Sequence, residues 1–549
     1  MSQVAVHDMV TSLVAVIRPE EVALRTGVSL STVNRWMTKK SKPQPQKESL
    51  LREMYSQYIS KGEGNAAQSP ELDNGLSQLR EVFHKSSRYS ARNEALEEIS
   101  KLFFAHITSV MSHGKGICEE IISTKGKEAF SLRQFVENQF APYLEKKGWT
   151  NSIGTLKLQD DENQFAAELI SIFERFFSHK EVIERLKGTE ALNEIFGKFL
   201  ADSFVDEKQL GQYLTPHEVV EFSTELIYSE LNLEDVIDDD FGLVLDPSCG
   251  IGSFLAAFIN KTYKESIQRK EAFELNQFIN QKVYGIDKSE RMIKLALINL
   301  AMYGCDDINV YLKNALDSEG PELDGNVSLI MTNPPFGAEF PAKEIEKFKI
   351  VTEWSAKRPR KVNSEILFLE KYLDWLKPGG YLLCVVPDSI LNNKGIYLAL
   401  RNGIAKQISI KAVISLPSNT FATTGTETKT SLLFIQKKLY APTDKTYLAT
   451  CKNIGYDVIT SGTHKLKRFQ QASDLKEILQ DYCQGTEYCG KWVTGLNDYF
   501  RWDATYHASA SAKFIEFARS SGLLRLKDVA SLSQERFNPA RYEADRIIH

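Results

Sequence analysis

Asn333, Pro334, Pro335 and Phe336 follow directly on the apolar run Ser328–Thr332 and are followed by Gly337. Two prolines remove two backbone donors and stiffen the chain, so the Pro334 carbonyl is presented in a nearly fixed direction. The Asn333 side chain adds a second neutral acceptor close by. An exocyclic amine such as that of adenine has two N–H bonds and a lone pair drained into its ring. Two acceptors that bind both hydrogens favour a pyramidal nitrogen and free the lone pair to attack a sulfonium methyl in line. No strong base is needed before attack, because the amine proton becomes acidic once nitrogen carries the new charge. Phe336 can stack on the base and hold it at attack distance, and an adenine in a duplex must flip out to reach such a cleft. Read without chemistry, the same residues are a proline-rich turn ending a buried strand, with a phenylalanine filling the core.

A second constellation lies upstream. Leu243, Val244 and Leu245 form a short buried strand that ends in Asp246, and Pro247 to Phe254 continue it with Gly250, Gly252 and Ser253. The glycines let the turn approach a ligand that a side chain would exclude. The stretch lacks the third spaced glycine of the dinucleotide fingerprint, which argues against a nicotinamide site. The next strand ends in Asp287, where an acidic side chain can accept hydrogen bonds from both ribose hydroxyls of an adenosine-bearing cofactor. Its plainer role is to cap the helix that begins near Ser289.

These residues need a frame, and the pattern provides one from about Glu207. Strands are expected at Gly242–Asp246, Lys282–Ile286, Ile308–Leu312, Val327–Thr332, Gly380–Val386, Ile410–Ser415 and Ser431–Gln436, most of them separated by helical stretches. This is the signature of a doubly wound α/β sheet, with ligands beyond the carboxyl ends of the strands where the order reverses. The last strand follows the sixth too closely for a crossover helix and is expected to insert antiparallel.

Upstream, residues 73–205 read as a helical domain, with Phe103, Phe104, Ile107 and Val110 in one apolar run and Leu169, Ile170, Ile172 and Phe173 in another. Lys61 to Pro70 reads as a linker. Residues 1–60 resemble a helix-turn-helix, with Gly27 at the turn and Ser29 or Ser31 capping a second helix that carries Thr32, Val33, Asn34, Arg35 and Trp36. Ser31, Thr32, Asn34 and Arg35, with Lys39 and Lys40 behind them, are candidate DNA contacts; a helical module that serves assembly or has lost its binding role is the alternative.

Taken together, the chain resembles the gamma-class DNA adenine-N6 methyltransferases, in particular the modification subunits of type I restriction systems. Asp246–Phe254 resembles their cofactor loop and Asn333–Phe336 their catalytic tetrad. Gln212, Tyr213, Leu214, Thr215 and Pro216 look like the segment that closes over the methionine moiety, and Asn363–Glu365, Pro378–Gly380 and Thr424–Phe434 also fit. The resemblance implies a Rossmann-like seven-stranded methyltransferase sheet over residues 206–440. It implies S-adenosylmethionine held by Gln212, Tyr213, Leu214, Thr215, Asp246, Gly250, Gly252, Ser253 and Asp287, and catalysis by Asn333, Pro334 and Phe336 on adenine N6 in double-stranded DNA. After the third strand the family often carries an acidic contact to the cofactor adenine; here Asn314 stands in that stretch, with Asp317 three residues on. The resemblance also implies a specificity subunit or separate nuclease as partner, and residues 441–549 read as a docking region or partial target-recognition domain. Methylation of a protein glutamine amide, or a catalytically idle DNA-binding regulator, are the competing functions.

Composition sets the outer limits. At 549 residues two to four domains are expected, and the formal net charge of -5 means that contact with a polyanion must come from local basic surface. Seven scattered cysteines point to a reducing cytosol, and neither a metal site nor a membrane span is expected.

Overall fold

Neighbouring residues of the central strands point into two different apolar cores. In β1 (Leu243–Asp246), Val244 joins one core and Leu245 the other. The alternation continues after β2 (Val283–Asp287) and β3 (Asn309–Leu312): in β4 (Val327–Thr332), Leu329 and Met331 face the first core and Ile330 the second. Two short strands follow, β5 (Glu339–Pro341) and β6 (Lys361–Asn363), and then β7 (Leu376–Pro387), in which Leu383 and Val385 alternate with Leu382, Cys384 and Val386. Such a sheet is covered on both faces, which is why its strands are continuous apolar runs. The computed structural model describes residues 28–37, 92–113, 128–151, 153–156, 163–177, 215–269, 274–301, 308–317, 323–422, 428–438, 445–461 and 464–509. It also describes residues 10, 41–45, 47–48, 51, 75, 78–79, 81–82 and 521.

Helices His217–Tyr228, Ser253–Arg269, Leu275–Lys282 and Glu290–Ala301 pack on the first face. Ser364–Trp375 and Ile396–Ile404 pack on the second. β8 (Ile408–Ser415) and β9 (Thr430–Lys437) complete the expected set, and β9 runs antiparallel to both β7 and β8. The seven expected strands lie in the order β8-β9-β7-β4-β1-β2-β3.

The sheet is larger than expected. Among the described residues it has nine strands, because β10 (Lys445–Thr450) pairs parallel with β8, and β13 (Gly490–Thr494) pairs antiparallel with β10. The sheet therefore crosses residue 440, where the expected C-terminal region begins. Tyr447 and Leu448 are buried in the two cores, so β10 is an integral strand. A hairpin of β11 (Ile454–Ser461) and β12 (His464–Ser473) and the helix Asp474–Gln484 lie between β10 and β13. The Asp481 carboxylate accepts from the Tyr447 hydroxyl at 2.6 Å and from the N–H groups of Tyr488, Cys489 and Gly490. These bonds fix the loop that delivers β13.

The helical layer before the sheet shares its first core. Helix Arg92–His113 places Phe103 and Phe104 in a cluster of aromatic rings with Phe140, Phe173 and Phe177. It also meets the helix Glu290–Ala301, where Lys294 lies 3.8 Å from Glu97. The helix Leu30–Met37 is present and begins at Ser29, whose hydroxyl accepts from the Thr32 N–H at 3.3 Å. The first helix of the expected helix-turn-helix lies outside the described residues.

Candidate active site

β1, β2 and β4 end side by side at the point where the strand order reverses, and most of the site hangs from those three ends, with Thr215 added from the start of the helix His217–Tyr228. β1 delivers Asp246, which is only 1% exposed and accepts from the Ser248 N–H at 3.1 Å. The following turn runs through Gly250 at φ 52° and Gly252 at φ 77°, a region that residues with a Cβ rarely adopt. Cys249 N–H donates to the Ile286 carbonyl at 3.0 Å, so the loop is sewn to the end of β2 before Ser253 opens its helix.

Asp287 at the tip of β2 is committed to the same loop. One carboxylate oxygen accepts from the Gly250 N–H at 3.0 Å and the other from the Ser289 N–H at 2.8 Å. It therefore braces the glycine turn and the approach to the next helix, whose first turn donates to the Ser289 hydroxyl, and it is not among the residues that line the recess beside that turn. Burial raises the pKa of Asp287, and the Ser289 and Gly250 N–H groups oppose the rise. Burial also pushes Asp246 up to about 7, against the pull of the Thr332 hydroxyl and the Ser248 N–H and helped by the charge of Asp287.

The recess is lined by Thr215, Asp246, Ser248, Cys249, Ser253 and Asn333, with Ile251 and Phe254 as its apolar wall. β4 supplies Asn333. Its amide Nδ2 donates to the Thr215 hydroxyl at 3.0 Å, whereas its carbonyl Oδ1 is buried and, among the described residues, has no hydrogen-bond partner. A buried acceptor left without a partner costs about 1–3 kcal/mol, so this atom is poised to take a donor. Pro334 is buried, and among the described residues no donor reaches its carbonyl. Phe336 is half-buried and packs against the first core, which leaves part of its ring accessible.

The tetrad is held from behind by the start of helix Ser364–Trp375. Ser364 Oγ donates to the Pro335 carbonyl at 2.8 Å, and Ser364 N–H to the Ala338 carbonyl at 2.7 Å. The Glu365 carboxylate accepts from the Gly337 N–H at 3.1 Å and from the Tyr397 hydroxyl at 3.3 Å. Ser364, Glu365 and Tyr397 were not among the expected site residues. The stretch Asn363–Glu365 signals a helix start and nothing in it announces a brace for a loop 28 residues upstream.

Of the expected cofactor contacts, Thr215, Asp246, Ser253 and the Gly250–Gly252 turn gather here. Asn314 does not line the recess: it is exposed at the end of β3, its Nδ2 donating to Asp317 at 2.5 Å and its Oδ1 accepting from the Leu316 N–H. Gln212, Tyr213 and Leu214 lie outside the described residues. Of the expected DNA contacts, Ser31, Thr32, Asn34 and Arg35 fall on the helix Leu30–Met37, with Thr32 half-buried and Arg35 exposed; Lys39 and Lys40 lie outside the described residues. Among the described residues, no group of His, Cys, Asp or Glu is arranged to hold a metal ion, and no helix is long and apolar enough to cross a membrane.

The chain is similar to known proteins in sequence and in fold. Residues 188–505 match the family model for N-6 DNA methylases. The chain is 26% identical over 246 residues to the type II restriction enzyme and methyltransferase RM.BcgI of Heyndrickxia coagulans, covering 44% of this chain and 34% of that protein. It is 25% identical over 228 residues to the type I restriction enzyme EcoEI methylase subunit of Escherichia coli, covering 41% of this chain and 42% of the subunit. Each match thus spans less than half of the relative's own length. A chain from Vibrio vulnificus YJ016, assigned as a modification subunit of a type I restriction enzyme, superposes with a TM-score of 0.53 at 18% identity, over 77% of this chain and 92% of that one. A chain of a type I R-M system superposes with a TM-score of 0.52 at 19% identity, over 86% and 93%. With more than half of its length matched by one family model and the site built at the switch point of the matched sheet, this chain belongs to the N-6 DNA methylase family.

Proposed function

We propose that the chain transfers a methyl group from S-adenosylmethionine to the N6 amine of adenine in duplex DNA, as the modification component of a restriction-modification or related defence system. The observation that carries this reading is the pairing of a buried Asn333 Oδ1 with the carbonyl of Pro334, both without a hydrogen-bond partner among the described residues. Both are acceptors, both are neutral, and they stand next to each other in a backbone that two prolines hold stiff.

The residues present fit the cofactor. The positive-φ glycines leave the inner side of the loop bare, and Asp246 offers a carboxylate at the recess wall. When bound, S-adenosylmethionine supplies an electrophilic methyl on a sulfonium centre. Everything else is the work of the chain. Thr215 holds the Asn333 amide by its nitrogen end, which turns the carbonyl oxygen toward an incoming amine. Asn333 Oδ1 and the Pro334 carbonyl each take one amine hydrogen and draw the nitrogen toward a pyramidal shape, with its lone pair free. The open part of Phe336 stacks on the flipped base. The proton lost after transfer leaves through the same acceptors to solvent. Acceptors already in place cost no reorganisation during the reaction.

Docking of a specificity subunit or a separate nuclease, and contact of the helix Leu30–Met37 with DNA, belong to this reading through the relatives' names and the expected helix-turn-helix. Incubation with labelled S-adenosylmethionine and either duplex DNA or protein tests it. Label in N6-methyladenine is expected. Label only in protein glutamine would replace this function with the competing one, and no label in either, with cofactor bound, would leave the regulator.

A further inference from the structure

Between β4 and the brace at Ser364 the chain leaves the site and returns, and nothing in the mechanism uses this excursion. Residues 338–363 depart along β5 and come back along β6, the two strands pairing Glu339 with Asn363 and Pro341 with Lys361. Both roots are tied to the tetrad: Ala338 accepts from the Ser364 N–H, and Gly337 donates to Glu365. The excursion is also bolted down along its length. Ala342, Ile345, Phe348, Ile350, Val351 and Val362 are buried in the second core. Glu370 accepts from the backbone N–H groups of Lys349 and Ile350. Trp354 lies so close to Gly403 that a Cβ there would sit 2.3 Å from the indole.

On this fixed platform the returning arm carries Lys357, Arg358, Pro359, Arg360 and Lys361, four cations in five residues with no acid among them. All four cations are exposed. Arg358 pairs with Glu346, and Lys361 with Glu339 at 2.9 Å, but exposed pairs of this kind hold their cations weakly. No acidic partner is recorded for Lys357 or Arg360 among the described residues. In a chain whose net charge is -5, a cationic arm with two of its four charges unpaired among the described residues, rooted on both sides of the tetrad, is a local exception.

We infer that Lys357, Arg358, Arg360 and Lys361 form a phosphate-holding surface for the duplex, gripping the backbone beside the base that enters the Asn333 cleft. The inference rests on the proposed function and deepens it. Phosphate contacts fix register without reading sequence, and a rigid mount lets them aim one nucleotide at the cleft. Arginine suits the task because its planar fork can bind two phosphate oxygens at once.

The test is a salt series of binding to a labelled mixed-sequence duplex by the whole chain, the double variant Lys357→Ala/Arg360→Ala, and Lys406→Ala. Lys406 is exposed at the amino end of β8, the opposite end of the sheet, and serves as the control. Each lost phosphate contact lowers the slope of log K against log salt by about 0.9, so the double variant is expected to lose about 1.8 units of slope, with a raised Kd. Lys406→Ala is expected to leave both unchanged, and calorimetric affinity for S-adenosylmethionine is expected to stay the same in all three. A wild-type chain that methylates DNA while the double variant keeps its slope would overturn this inference alone. A wild-type chain that neither binds nor methylates duplex would overturn the proposed function and the inference with it.

Discussion

Thr215→Val removes one hydroxyl from the wall of the recess and tests whether the orientation of the Asn333 amide matters. Valine keeps the shape but cannot accept from Asn333 Nδ2, a bond of 3.0 Å in the native chain. The amide nitrogen then loses its partner, and the orientation that points Oδ1 at the cleft loses its advantage over the flipped one, which would present a donor to the substrate amine. Leaving such a group unsatisfied costs about 1–3 kcal/mol. At 1.4 kcal/mol per tenfold, the single-turnover rate of methyl transfer is expected to fall by about 5- to 150-fold. Asn333→Ala removes the acceptor itself, a loss of about 100- to 1,000-fold by analogy with other transition-state hydrogen-bond partners. If Thr215 acts through Asn333, adding Thr215→Val to Asn333→Ala costs almost nothing more, and the coupling energy equals most of the single-variant loss. Thr215→Ser, which keeps the hydroxyl, is expected to restore the rate. Fully additive losses would refute the reasoning and make Thr215 an independent ligand contact.

Three further outcomes follow from the geometry. Burial holds the Asp246 pKa up to about 7, so the folded chain retains a proton that the unfolded chain releases above about pH 4. Stability is therefore expected to fall as pH rises from about 4 to 7, and the neutral Asp246→Asn is expected to flatten that part of the Tm-against-pH curve; an unchanged slope would contradict the assignment. Asp287→Ala frees the N–H groups of Gly250 and Ser289, so Tm and S-adenosylmethionine affinity are expected to fall together, whereas a loss of affinity with no change in Tm would show a purely ligand-facing role. Arg401 is buried and donates to the carbonyls of Ile390 at 2.6 Å, Asn393 at 2.6 Å and Phe500 at 3.0 Å. Arg401→Leu is expected to cost about 3 kcal/mol or more in urea unfolding, and a loss under 1 kcal/mol would mean that those carbonyls find water instead.

The sheet was legible where burial on both faces wrote long apolar runs: all seven expected strands exist, the last of them antiparallel. β10 and β13 were hidden for a physical reason. β10 is six residues long behind the polar stretch Pro442–Asp444, and β13 is an edge strand of mostly half-buried residues, so neither writes a run of its own. In the site, the tetrad and the glycine loop could be read because few residue types satisfy their backbone demands. The bracing of that loop could not. Glu365 reaches Gly337 across 28 residues of chain and Tyr397 reaches Glu365 across 32, each through a single hydrogen bond, and a pairing at that distance leaves no local pattern. Asp287 shows the opposite case, in which the residue was rightly placed at the tip of β2 while its carboxylate turned out to be committed to backbone N–H groups.

The central claim is that Asn333 Oδ1 and the Pro334 carbonyl receive an adenine amine. Its most direct test is single-turnover transfer of labelled methyl from S-adenosylmethionine to mixed-sequence duplex DNA by the whole chain, with and without a specificity partner, beside Asn333→Ala, followed by nucleoside analysis. The account predicts label in N6-methyladenine from the native chain, lost by at least a hundredfold in Asn333→Ala while cofactor affinity and Tm hold. Equal label from both chains, or label in another nucleoside, would contradict it.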